Sequence, residues 1–103
     1  MTKISIHILR TSGYAAPGKL ADAEIHFSGG ELDGLKLVGF AVWKSRDGRG
    51  QDVTFPSRQF IAHGERRSFS LLRWVSERDA QQRVERLVRG AYTSLQRNTP
   101  SGD

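Results

Sequence analysis

The chain has 103 residues, with sixteen Lys and Arg against eleven Asp and Glu, and no Cys. That length suits one domain with a modest core. The missing Cys excludes a disulfide scaffold and a thiolate zinc site, and no apolar run approaches the ~20 residues of a membrane-spanning helix. Residues 1–43 balance four basic against four acidic groups, so the whole net charge of +5 falls in residues 44–103, where eleven of the twelve basic groups are Arg. Arg grips phosphate bidentately and stacks on bases, whereas Lys acts as a point charge. A positive surface also serves solubility, so composition leaves both readings open. The N-terminus lacks the apolar core and cleavage site of a signal peptide, which sets the expectation of a cytoplasmic protein.

Ile4, Ile6 and Ile8 alternate with polar residues, the pattern of a strand with one buried face. Thr11 to Gly18 reads as a loop, punctuated by Gly and Pro. Ala21, Ala23, Ile25 and Phe27 alternate with Asp22, Glu24 and His26 in a second half-buried strand. Leu35 to Lys44 is apolar on both faces, which predicts a central strand. Asp47-Gly48 predicts a tight hairpin turn, with Gln51 to Phe55 returning and Pro56 ending that strand. Ile61 to Arg66 reads as a loop and Ser68 to Trp74 as a possible fifth strand. Ser76, with Asp79 three residues on, is an N-cap signal. It opens a helix from about Glu77 to Gln96, with an apolar stripe at Ala80, Val84, Leu87, Val88, Ala91 and Leu95. Gly90 weakens that helix by roughly 1 kcal/mol or admits a close neighbour. The expected architecture is α+β: a small antiparallel sheet of four to five strands with a C-terminal amphipathic helix. It forms a single domain over residues 1–97, with a disordered tail over 98–103.

The segments KLADAEIHF, LVGFAVWKSRDGRGQDVTFPSRQF and RLVRGAYTSL follow one another in an order that resembles the SpoVG-like family, named after stage V sporulation protein G, a septation regulator. The resembling features are the turn at Asp47-Gly48, the motif Phe55-Pro56-Ser57-Arg58 after the return strand, and Ala91-Tyr92 near the helix end. The resemblance covers most of the chain. It implies a small, cytoplasmic, bacterial homodimer that binds DNA or RNA as a regulator and has no enzymatic activity or cofactor. It marks Arg58 as the clearest nucleic-acid contact. Three features depart from the family: Phe55 replaces the usual Met, SFSLLRWVSE replaces the segment usual before the helix, and the acidic tail of some members is missing.

Lys44, Arg46, Arg49, Arg58, Arg66 and Arg67 are the candidate nucleic-acid-binding residues, expected along one edge of the sheet and incompletely balanced by Asp47, Asp52 and Glu65. Trp43, Phe55, Phe60 and Trp74 lie near them in sequence. Exposed aromatics would stack on unpaired bases, but core packing is their commoner fate; Phe55 is expected in the core, and Trp43 is left open. Asp22, Glu24 and His26 share one strand face and offer metal-ligand chemistry, yet a half-exposed strand needs a polar face in any case. The helix arginines read as a solvated face, with Glu85–Arg89 a favourable pair four residues apart. The expected function is therefore nucleic-acid binding through the basic hairpin and Arg cluster. The rivals are a protein-interaction module using the same edge and, further off, a metal-dependent enzyme.

Overall fold

The computed structural model describes residues 1–10 and 16–98. Four strands, β1 (Lys3–Arg10), β2 (Lys19–Ser28), β3 (Lys36–Lys44) and β4 (Gln51–Thr54), form an antiparallel meander in the order β1-β2-β3-β4. Two more, β5 (Ser57–Ala62) and β6 (Glu65–Ser70), pair only with each other, and a single helix, α1 (Ala80–Asn98), closes the chain. The class is α+β, as expected. The residues expected to form a tail beyond Asn98, and most of the predicted loop 11–18, lie outside the described residues.

Alternation builds the core. Directly opposed residues in an antiparallel pair share a face. The pairs Ile25–Leu37, Ala23–Phe40 and Ala21–Val42 therefore point to one side, where Val88 and Tyr92 of α1 meet them. Phe40, Val42 and Val88 are fully buried, and each such burial stabilises by about 1.5–3 kcal/mol. Leu37 and Phe40 are three residues apart, a spacing that would put them on opposite faces of a regular strand. A bulge resolves this: Ala23 pairs with Phe40 and Glu24 with Val38, leaving Gly39 as the extra residue. Gly39 has φ 108, and a Cβ there would stand 2.8 Å from the Pro56 Cβ. Glycine meets both demands.

Some expectations about local structure need correction. The segment Ile61 to Arg66 is a tight hairpin and not a loop. His63 (φ 52) and Gly64 (φ 78) form a two-residue turn with both residues at positive φ, which matches the twist of the flanking strands. The helix starts at Ala80, a turn later than Ser76 suggests: the Arg83 N–H donates to the Asp79 carbonyl at 3.1 Å, so Asp79 occupies the capping position. On α1, Leu87 is half exposed and Tyr92 is buried, so the buried stripe is rotated from the one the apolar spacing suggests. Arg89 does not pair with Glu85. Its Nε donates to the Gln51 carbonyl at 3.0 Å, fastening the helix to the edge strand β4.

The radius of gyration is 15.4 Å and the extents are 50 × 39 × 25 Å; a compact chain of this length would have a radius near ~13 Å.

Candidate nucleic-acid interface

The six candidate basic residues fall into two groups. Lys44 ends β3, and Arg46 and Arg49 ride on the loop 45–50 that links it to β4. This connection is longer than the two-residue turn that Asp47-Gly48 suggests, because Lys44 pairs with Gln51 and six residues lie between them. Its geometry is held from inside. The Asp47 carboxylate accepts from the Ser45 hydroxyl at 2.7 Å and from the Arg49 N–H at 3.0 Å. The Gly50 N–H donates to the Ser45 hydroxyl at 3.1 Å. The bonds from the Ser45 hydroxyl first and then the Arg49 N–H hold the Asp47 carboxyl below its ordinary pKa. Asp47 is thus the scaffold of the loop, and its carboxylate is not given to either guanidinium.

Arg58, Arg66 and Arg67 stand on the ribbon, which follows β4 in the chain and pairs only with itself. The basic residues thus stand on two hairpins of separate sheets and not along one edge of a single sheet. The ribbon register divides them again. Arg58 pairs with Phe69 and Phe60 with Arg67, so these four share one face; Arg66 pairs with Ile61 on the other. Arg67 reaches Glu65 at 3.4 Å, with both side chains more than half exposed, a separation and setting in which an ion pair contributes little. Arg46, Arg49, Arg58 and Arg66 engage no side-chain partner among the described residues.

The aromatic residues divide as well. Phe55 packs edge-on against Phe40 with centroids 5.2 Å apart, in the core as expected. Trp43 lies on the sheet face away from the helix, its Nε1–H donating to the Thr54 hydroxyl at 2.8 Å. Trp74 is half exposed at a small cleft of about 90 Å³ that it shares with Phe55, Leu72 and Val84. Phe60 and Phe69 are 39% and 42% exposed and stack edge to face, centroids 5.7 Å apart. Phe69 stands nine positions beyond Phe60, and strand alternation alone does not make the two neighbours. The His63-Gly64 turn between them is the signal that does.

Asp22, Glu24 and His26 do share the outer sheet face. Asp22 is bound by Lys19 at 2.6 Å, and Glu24 accepts from His26 Nε2 at 2.8 Å and from Lys36 Nζ at 3.3 Å. The His26 bond, with Lys36 behind it, holds the Glu24 carboxyl below its ordinary pKa. His7, opposite Glu24 on β1, stacks on His26 with centroids 3.7 Å apart, a contact the strand pattern alone does not suggest. Among the described residues no three His, Asp or Glu side chains are grouped to hold a metal ion, and no helix is long and apolar enough to cross a membrane.

Comparison with known protein families, with curated proteins and with solved structures finds no match to this chain.

Proposed function

We propose that this chain is a nucleic-acid-binding protein of the SpoVG-like kind, a non-enzymatic regulator that binds DNA or RNA through the arginines of the loop 45–50 and of the β5–β6 ribbon. The observation that carries the reading is the set of guanidinium groups at Arg46, Arg49, Arg58 and Arg66, which project from rigid turns and strands without an intramolecular acceptor among the described residues. The planar guanidinium fork loses less freedom per hydrogen bond to phosphate than an ammonium would, and each neutralised phosphate releases counterions. The test is binding to mixed DNA and RNA at two salt concentrations, with Arg49→Ala/Arg58→Ala beside the wild type. The slope of log affinity against log salt should shrink by about one for each phosphate that the variant no longer neutralises. Equal slopes, or no wild-type binding at low salt, would refute the reading.

A homodimer belongs to the same proposal. The ribbon leaves both of its edges unpaired, and Leu35 and Val38 around β3 are more than half exposed; unpaired edges and apolar surface of this kind are ordinarily covered. Sedimentation at micromolar concentration that shows only the 11.5 kDa monomer would refute it. The protein-interaction reading draws its own support from Ile61, Leu71 and Val75, exposed by 77%, 56% and 93%. Salt-insensitive binding would favour it.

A further inference from the structure

The geometry points to single-stranded nucleic acid as the ligand of the ribbon, with unpaired bases stacking on Phe60 and Phe69 while Arg58 and Arg67 hold the flanking phosphates; this rests on the nucleic-acid reading above and narrows it. The register is the basis. Cross-strand neighbours Arg58–Phe69 and Phe60–Arg67 alternate cation and ring along one face of β5–β6, with opposed Cβ atoms about 4.5–5.5 Å apart. The ribbon pairs with no other strand, so this face is not part of the main sheet. Two phenylalanines left about two-fifths exposed and packed edge to face leave an apolar aromatic patch on that face, where a base can stack on an exposed ring. Every base has a π-face, and stacking on aromatic side chains beside a basic track is the physics of sequence-tolerant single-strand binding. A regular duplex hides its base faces within its own stack and presents groove edges and phosphates, so Phe60 and Phe69 would find a base face there only by opening a base step at a cost.

Charge complementarity selects this occupant over a second copy of the chain. Arg58 and Arg67 of one ribbon would oppose those of another across the patch, and the only carboxylate on that face of the ribbon, Glu65, is shared with Arg67. A phosphate chain meets both cations. The Glu65–Arg67 pair is exposed and screened, so it yields readily.

The experiment is fluorescence anisotropy with labelled oligo-dT and a labelled duplex of mixed sequence, at two salt concentrations. Full-length wild type, Phe60→Leu/Phe69→Leu and Phe60→Tyr/Phe69→Tyr are compared. The wild type should bind the single strand more tightly than the duplex. The Leu pair should lose roughly ten-fold or more in single-strand affinity, with the duplex affinity and the salt slope unchanged, because stacking releases no counterions. The Tyr pair, which keeps the rings, should keep the affinity. Equal wild-type affinity for single strand and duplex, with an Arg-dependent salt slope, would overturn this inference and leave the broader nucleic-acid reading standing. A wild type that binds neither would overturn both. A Leu pair that binds as well as wild type would overturn the inference, as would loss of the dimer in the Leu pair, which would assign the patch to contact between copies.

Discussion

Replacing Gly39 with Ala tests whether the close approach of Pro56 is what holds position 39 to glycine. The substitution meets two obstacles. Its φ of 108 lies where L side chains rarely go, at a cost of about 1–2 kcal/mol. The new Cβ also lands 2.8 Å from the Pro56 Cβ, and overpacking of this kind costs roughly 1–3 kcal/mol. The sum, roughly 2–5 kcal/mol, is a large fraction of the ~5–15 kcal/mol typical of a domain. At ~4–8 °C per kcal/mol for a chain of this size, it should lower Tm by about 8–40 °C. Gly48→Ala is the control. That glycine has φ 71, but an added Cβ meets nothing within 4 Å, so only the backbone cost applies. Urea unfolding followed by circular dichroism gives both differences, and a cycle with Pro56→Gly isolates the steric clash. Gly39→Ala should be less damaging in the Pro56→Gly background, by the roughly 1–3 kcal/mol of the overlap. If Gly39→Ala is no worse than Gly48→Ala, or the cycle shows no coupling, Pro56 is not what makes position 39 a glycine.

Gly90 lies within α1, and a Cβ there meets nothing within 4 Å; Gly90→Ala should therefore stabilise by about 0.5–1 kcal/mol, read as a rise in the urea midpoint. A drop in stability would show that this surface is occupied. For Glu24, a carboxyl with a lowered folded-state pKa contributes stability above its unfolded value and loses it as pH falls through the folded value. The advantage of wild type over Glu24→Gln should accordingly be constant near neutral pH and vanish in acid below the ordinary glutamate range. Urea midpoints measured from neutral pH down to pH ~3 check this, and a difference that persists or grows in acid would refute it.

Period-two alternation makes β1 and β2 legible because one face of each must meet the core. The two-sided apolar run from Leu35 marks β3, one of the two inner strands of the sheet. The helix is legible from its apolar stripe, though its start shifts to Asp79, since several residues in that segment are chemically able to cap it. The basic residues are legible as a set and not as a surface. Charge has no period, so nothing in the chain tells Arg66 from its neighbour Arg67, which the pairing of β5 with β6 puts on opposite faces. That pairing hangs on His63-Gly64. His pays to enter positive φ, so His-Gly is a weaker turn signal than Asn-Gly, and the turn emerges only with both strands in place. The same holds for Gly39: its neighbours read as an unbroken strand, and only the approach of Pro56 and the slip of one residue against β2 show why a side chain is excluded. Local propensity and hydrophobic period thus determine the elements. Which side chains share a face, and what stands where a side chain would go, depends on register, a relation between segments distant in the chain that no single stretch of sequence contains.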